Sequence, residues 1–383
     1  MNDNITPYVR YIGADDKDLD LFESQYVVPQ GISYNSYVIT DEKIAVMDTI
    51  DQRKTEEWTV RLEEALEGRT PDYLIVQHME PDHAANIGWF AEKYPEATIV
   101  ASAKAIQMMP QFFEEVNFAG RTQTVKEGDT LCLGQHTLKF IMAPMVHWPE
   151  VMLTYEESEK ILFSADAFGK FGALCHEGEW IDEARRYYFN IVGKYGAQVQ
   201  ALLKKAAGLD IAMICPLHGP VLKENLGYYI GLYDTWSKYE PETEGVVVAY
   251  ASIHGNTAAA ARRMAEILSE KGATEVMLID LCRDDMALAV ESAFRYSKMI
   301  VAASSYDAGV FPPMFDFLHH LQIKNFQKRR VGIIENGSWA PTAGRMMSCM
   351  LSEMKNMEIM EHMVTIKSSM KKADLLQMEE LAE

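Results

Sequence analysis

The strongest constraint on the fold is a rhythm in the last 139 residues of the chain. Five apolar runs, at 245–250, 274–281, 298–304, 329–335 and 361–367, are separated by amphipathic segments of helical length. Strands joined through helices cannot pair as hairpins, so this alternation predicts a parallel sheet covered by helices on both faces, the doubly wound arrangement. The rhythm starts after Tyr239-Glu-Pro-Glu-Thr-Glu244, a polar stretch with one proline and three glutamates, which predicts a domain boundary there. The 383 residues then divide into domains of 1–244 and 245–383, each long enough to bury its own core. The first reads differently. Strand-like runs at 32–40, 43–49, 73–76, 97–100, 136–143, 160–165 and 210–215 are mixed with helical stretches at 54–67, 101–115 and 196–207, and predict a mixed α/β layer fold.

Charge narrows the class of function. The chain carries 36 Lys and Arg against 56 Asp and Glu, a formal charge of -20. Its longest basic run is Lys328-Arg329-Arg330, which excludes the concentrated basic face needed to displace counterions from a nucleic acid. Residues 1–244 hold 39 acids and 21 bases, and residues 245–383 hold 17 acids and 15 bases, so nearly all the acidity belongs to the first domain. No stretch approaches the roughly 20 apolar residues of a membrane span, and the first residues lack a secretory pattern, so a cytoplasmic location away from membranes is expected. Five scattered cysteines (Cys132, Cys175, Cys215, Cys282, Cys349) never fall in a C-x-x-C spacing, which argues against a disulfide framework, a zinc knuckle or a fused rubredoxin-type iron site.

Immediately after the apolar run 73–76 comes Gln77-His78-Met-Glu80-Pro-Asp82-His83, with two imidazoles and two carboxylates in six residues. His147, Asp166 and His218 each follow a later apolar run. Loops beyond strand ends converge on one rim in layered α/β folds, so these seven side chains are candidate metal ligands. Isolated histidines such as His136, His176, His319, His320 and His362 have no such context and read as surface or core residues.

The second domain has its own constellation. Ser252-Ile-His254-Gly255-Asn256-Thr257 follows the first strand and leads into a helical stretch, placing hydroxyls and backbone N–H groups where a phosphate binds. A Ser/Thr-capped helix without a ligand would show the same loop. Two further loops complete a pocket: Ser304, Ser305, Tyr306, Asp307, Ala308 and Gly309 after the third strand, and Asn336, Gly337, Ser338 and Trp339 after the fourth. They offer hydroxyls, amides, close-approach glycines and flanking aromatics (Tyr306, Trp339), which suits a planar flavin ring. Neither a Gly-x-x-x-x-Gly-Lys nor a Gly-x-Gly-x-x-Gly motif is present.

The first ligand pattern resembles that of the metallo-β-lactamase superfamily, with Glu80 standing where the hydrolases carry a second histidine. The added carboxylate makes the site harder and more anionic, which suits iron better than a zinc that polarises water. With both constellations in this order, the whole chain resembles the flavodiiron proteins. That resemblance implies an N-terminal metallo-β-lactamase-like αβ/βα sandwich, then a flavodoxin-like doubly wound five-stranded parallel sheet. It also implies FMN and two nonheme irons per chain: His78, Glu80 and His147 on one iron, Asp82, His83 and His218 on the other, Asp166 bridging. Asp166, Glu80 and His147 are then the residues expected at the reacting centre. The family reduces dioxygen to water, nitric oxide to nitrous oxide, or both, with electrons from a protein donor such as rubredoxin or from reduced deazaflavin. It works as a head-to-tail homodimer or a dimer of dimers.

Two rival readings stand beside it: a metal-dependent hydrolase with an attached flavodoxin module, and an electron-transfer protein without its metal. Tyr195, His176 and Trp148 are candidates for groups around the ligands. The near-neutral second domain, with Arg262, Arg263, Lys324, Lys328, Arg329 and Arg330, is the expected landing face for an acidic donor.

Overall fold

The computed structural model of the chain describes residues 4–176 and 178–383. Its contacts divide it into two compact units, the first of 1–188 and 197–233, the second of 189–196 and 234–383. The polar stretch 239–244 therefore lies inside the second unit and runs into its first strand, Thr243–Ala251.

The first unit contains two large sheets, besides two two-stranded ones, Ala14–Asp16 with Ile32–Tyr34 and Leu21–Phe22 with Tyr26–Val27. One has six strands in the order Val9–Tyr11, Tyr37–Thr40, Ile44–Met47, Tyr73–Val76, Thr98–Ser102 and Thr122–Val125, antiparallel over its first two joints and parallel thereafter. The other has five, in the order Thr130–Cys132, Thr137–Met142, Met152–Glu156, Ile161–Phe163 and Met213–Cys215, with only the last joint parallel. Val9, Tyr37, Ile39, Met47, Ile75 and Val100 of the first sheet share one buried cluster with Leu138, Phe140, Met152, Ile161 and Phe163 of the second. The sheets thus pack face to face, and each large apolar side chain between them contributes roughly 1.5–3 kcal/mol.

The second unit is the expected parallel sheet. Val276–Asp280, Thr243–Ala251, Tyr296–Tyr306 and Arg330–Asn336 are adjacent in that order and all parallel. Of the fifth run, 361–367, only Val364–Ile366 is a strand, pairing with the end of Arg330–Asn336; a short strand ahead of that run, Glu358–Ile359, pairs with its start. Helix Asn256–Glu270 places Ala260, Ala261, Met264 and Ile267 against Val246, Val248 and Ile300 of the sheet.

The first unit departs from the expected strands by one split run and by strands outside the expected runs, among them Val9–Tyr11, Thr130–Cys132, Met152–Glu156 and Thr122–Val125. The run 32–40 is two strands, Ile32–Tyr34 and Tyr37–Thr40, in different sheets. Met152–Glu156 escapes sequence patterning because all five of its residues are buried, so nothing alternates. Thr122–Val125 escapes for the opposite reason, as a largely polar strand at a sheet edge.

Candidate metal centre and flavin cavity

All seven candidate ligands leave strand ends for one rim of the first unit. Tyr73–Val76 ends at Gln77, whose backbone N–H donates to Asp48 Oδ1 at 2.7 Å, and Glu80 then caps the short helix Pro81–Ala84 with proline at its first position. The turn presents His78 and Glu80 before the helix and Asp82 and His83 on it. His147 follows Thr137–Met142, Asp166 follows Ile161–Phe163, and His218 follows Met213–Cys215.

The side chains fall into two groups, each with donor atoms within 4.8 Å of one another: His78, Glu80, His147 and Asp166, and Asp82, His83 and His218. Asp166 reaches both. Its Oδ2 is 3.1 Å from His78 Nε2 and 3.1 Å from His147 Nε2, while its Oδ1 is 3.3 Å from His83 Nε2 and 3.8 Å from His218 Nε2. Glu80 Oε2 lies 3.2 Å from His78 Nε2 and 3.0 Å from His147 Nε2. Asp82 Oδ2 is 3.3 Å from His83 Nε2 and 3.2 Å from His218 Nε2.

Two partners fix which nitrogen faces inward. His78 Nδ1 donates to Glu150 Oε1 at 2.8 Å and His218 Nδ1 to the Ser33 carbonyl at 2.7 Å, leaving both Nε2 atoms as acceptors for a cation. The Nε2 atoms of His83 and His218 stand 3.1 Å apart. Both oxygens of Asp82 and of Asp166 are buried without a hydrogen bond among the described residues. Buried carboxylate oxygens without donors, facing convergent imidazole nitrogens, are what a cation site requires. The residues therefore fit two metal ions.

The electrostatics agree. Burial pushes the Asp82 carboxyl up to about 7, against the pull of His83 and with the added charge of Glu80. Burial opposes ionisation of Asp166 as well, yet His78 and His147 overcome it and hold that carboxyl well below the ordinary range. Burial disfavours a charge on His147, but the nearby carboxylates of Asp166 and Glu80 prevail and raise it to about 9. Without metal the cluster favours bound protons on His147 and Asp82, and a metal ion would displace them.

The surroundings contain residues that the sequence did not single out. Phe22, on the hairpin of Leu21–Phe22 and Tyr26–Val27, sets its ring 5.4 Å from that of His218, and the Tyr187 ring lies 5.5 Å from the same imidazole. At the hairpin tip, Glu23 is exposed as a residue, while its carboxyl is pushed up to about 7 by loss of solvent and by the charge of Glu80. Glu150 had one sequence signal: a carboxylate leading directly into the apolar run Val151-Met-Leu needs a buried partner. Of the three expected neighbours, Trp148 is placed there, with its ring 5.4 Å from His78. Tyr195 belongs to the second unit, and His176 is exposed, its backbone N–H bonded to Ala173.

In the second unit the three sequence loops line a cavity of about 510 Å³. Ser252, His254, Asn256, Thr257, Ser304, Ser305, Tyr306, Asp307, Ala308, Asn336, Gly337, Ser338 and Trp339 all border it, joined by Thr342 and by Ser368 from beyond the last strand. Gly255 and Gly309 do not. Gly255, at φ +89°, caps helix Asn256–Glu270, and Gly309 pairs with Tyr306 across a tight turn. Thr257 is buried and its Oγ1 is 2.8 Å from Ser304 Oγ, so two hydroxyls meet beside the first N–H groups of that helix. Ser305 Oγ accepts from Thr342 N and Ala343 N, which ties two loops together. Trp339 is 93% exposed, so it is no core residue and offers a free aromatic face at the rim. The hydroxyl end, the amide-lined walls and the aromatic rim fit FMN.

Five of the six basic residues of the expected landing face are tied to partners within the second unit, while the sixth, Arg262, is exposed. Arg329 is 2% exposed and donates to the carbonyls of Tyr239, Gln327 and Phe294, and burial lowers it to about 10. Lys324 Nζ is spent on the Asn190 carbonyl, Lys328 on Glu240, Arg330 on Glu358 and Arg263 on Glu266 and Glu270. Residues 324–330 also lie at the start of strand Arg330–Asn336, whose far end borders the flavin cavity, roughly 20 Å away at ~3.3 Å per residue. Sequence proximity of charges gave no information about which were already paired.

Residues 32–219 match the family model described as ODP family beta lactamase. An uncharacterized protein of Methanocaldococcus jannaschii is 31% identical over 319 residues, covering 82% of this chain and 80% of its own length. The anaerobic nitric oxide reductase flavorubredoxin of Aliivibrio fischeri is 29% identical over 353 residues, covering 88% of this chain and 70% of its own. Among solved structures, the rubredoxin oxygen:oxidoreductase of Desulfovibrio gigas aligns with a TM-score of 0.91 at 26% identity, over 99% of this chain and 96% of that one. The flavodiiron protein of Giardia intestinalis aligns with a TM-score of 0.93 at 25% identity, over 100% and 95%.

Proposed function

This chain belongs to the flavodiiron proteins, a family of oxidoreductases, and we propose that it reduces dioxygen to water, nitric oxide to nitrous oxide, or both. The reading rests above all on Asp166, whose two oxygens are divided between the two groups of ligands, so that one carboxylate can hold a pair of ions together. Paired ions also serve hydrolases, so what favours a redox reaction here is Glu80, a carboxylate where the hydrolases carry a histidine, which makes the site harder and better suited to iron.

When bound, FMN supplies stored electrons and the iron pair supplies a place for the gas to accept them. His78, Glu80 and His147 would hold one iron and Asp82, His83 and His218 the other, with Asp166 between them. Glu150 and the Ser33 carbonyl keep the Nε2 atoms of His78 and His218 turned inward. Phe22, Tyr187 and Trp148 pack their rings against those imidazoles and limit the access of water. Reduction of either gas consumes a proton with each electron. Glu23, whose carboxyl is pushed up by burial and by the charge of Glu80, is a proton carrier for this step and can be recharged from solvent at the exposed hairpin tip.

In the second unit, Ser252, Thr257 and the helix start at Asn256 would hold the FMN phosphate, and Tyr306 and Trp339 would offer aromatic faces to its ring. The donor is a small protein such as rubredoxin, which the name of the D. gigas relative includes, or reduced deazaflavin. The exposed Trp339 at the cavity rim suits a head-to-tail homodimer or a dimer of dimers in which a second copy covers the flavin. A cytoplasmic site of action is part of the same reading, and among the described residues no helix is long and apolar enough to cross a membrane.

Gas uptake by chemically reduced protein tests the reading. Wild-type protein should consume dioxygen or nitric oxide, and Asp166→Ala, with FMN retained, should not. Equal uptake by the two would overturn it, since the flavin alone would then account for the reaction.

A further inference from the structure

The first unit contains a second cavity, of about 380 Å³, that belongs to neither cofactor site. Its floor is Leu153, Leu162 and Ile214 of the five-stranded sheet, and Val199 and Leu202 of helix Gly196–Ala206 roof it. All five are buried. Ala207 and Gly227, both exposed, line its solvent-facing side.

The inner end is Val146, Ala167 and Phe168. Val146 directly precedes the ligand His147, and Ala167 and Phe168 directly follow the ligand Asp166. One wall of the cavity is therefore the back of the two loops that carry those ligands.

The lining is hostile to water. Ordered water needs two to four polar partners, and the polar side chains here are engaged elsewhere: the Tyr233 hydroxyl accepts from Phe168 N at 2.6 Å, and Asp210, which is exposed, pairs with Lys160. The Phe168 ring also stacks on Tyr233 at 4.3 Å, which closes the inner end with two aromatic faces. Apolar cavities of roughly 150 Å³ already stay dry and take up xenon or benzene, and this one is more than twice that size.

We propose that this cavity binds a small apolar gas molecule and holds it behind His147 and Asp166 as a reservoir for the centre. The assignment of that gas as the substrate rests on the function proposed above. Dioxygen and nitric oxide are weakly hydrated, so transfer from water into an apolar, unfilled space is favourable, and the local concentration rises next to the ligand loops.

Crystals of the whole protein pressurised with xenon test the site directly. Xenon should occupy the space between Leu153, Leu202 and Phe168 in the wild type and be excluded from Leu202→Trp, which fills it. In gas uptake by the chemically reduced holoenzyme, Leu202→Trp should raise the KM for dioxygen about fivefold or more. Ala207→Trp narrows the solvent-facing side without overpacking the interior, so a failure of Leu202→Trp to fold leaves a second variant with the same expected rise. Absence of xenon from the wild-type cavity overturns the proposal, and so does an unchanged KM in the filled and narrowed proteins. Xenon binding needs no turnover. A protein that took up xenon and consumed no gas would contradict the proposed reaction and leave the cavity a site for another small apolar molecule.

Discussion

Glu150 Oε1 lies 2.8 Å from His78 Nδ1 and 2.8 Å from the Met79 amide nitrogen, and the Glu150 side chain is wholly buried. One carboxylate thus fixes both the ring of a metal-ligating histidine and the backbone of the turn that carries three other ligands. Glu150→Gln keeps the shape but loses the charge that makes His78 a strong donor. Iron affinity in the His78 group should fall about 10–100-fold, with less effect on the Asp82 group. Iron titration of metal-free protein checks this, and two unchanged binding steps would contradict it.

Glu23 should shape the pH dependence. Its folded value of about 7 stands above the ordinary 4.5, so the carboxyl is protonated, and able to donate, below about pH 7. Gas reduction by chemically reduced protein should fall as pH rises through 7, and Glu23→Gln should lack that limb and be slower on the order of a hundredfold at pH 6. The folded state also binds this proton more tightly than the unfolded chain, so Glu23 favours folding below about 4.5 and loses that contribution as pH rises through about 7. A profile with the same limb in Glu23→Gln removes it as the proton source.

At the flavin cavity, Thr257→Asp places a carboxylate where the FMN phosphate is expected, beside Ser304 Oγ. Like charges in a partly buried space repel, so the variant should purify without flavin and with its iron. Flavin absorbance per iron decides the point, and a normal flavin spectrum moves the phosphate elsewhere.

Arg329 and Arg330 should separate cleanly. Arg329→Ala leaves the carbonyls of Tyr239, Gln327 and Phe294 without their donor in a buried place, and should cost about 3 kcal/mol in denaturant unfolding. Arg330→Glu, on an exposed pair with Glu358, should change stability by less than about 1 kcal/mol. Equal effects would refute this division between a structural and a surface arginine.

The metal ligands were legible because their chemistry is dense in sequence: His78 to His83 puts four donors in one turn, and the three later ligands each stand at the end of an apolar run. The flavin loops were legible for the same reason, each following a strand of an unmistakable βα alternation. Glu23 was not, because it acts through a neighbour supplied by another loop, and Glu150 only in part: its place ahead of Val151-Met-Leu announces a buried partner without saying that the partner is His78. Tyr195 misled because its segment, 189–196, belongs to the second unit although the chain on both sides of it belongs to the first. The arginines misled because exposure and pairing are decided by packing: Arg329 is enclosed by segments from 239 to 294, far from it in sequence.

The central claim is that seven side chains of one unit build a bridged iron pair. Mössbauer spectroscopy of protein loaded with iron-57, read together with iron per chain, tests it most directly. The account predicts two irons per chain, magnetically coupled, with the coupling lost in Asp166→Ala. A single uncoupled iron, or zinc retained in preference to iron under anaerobic loading, would contradict it.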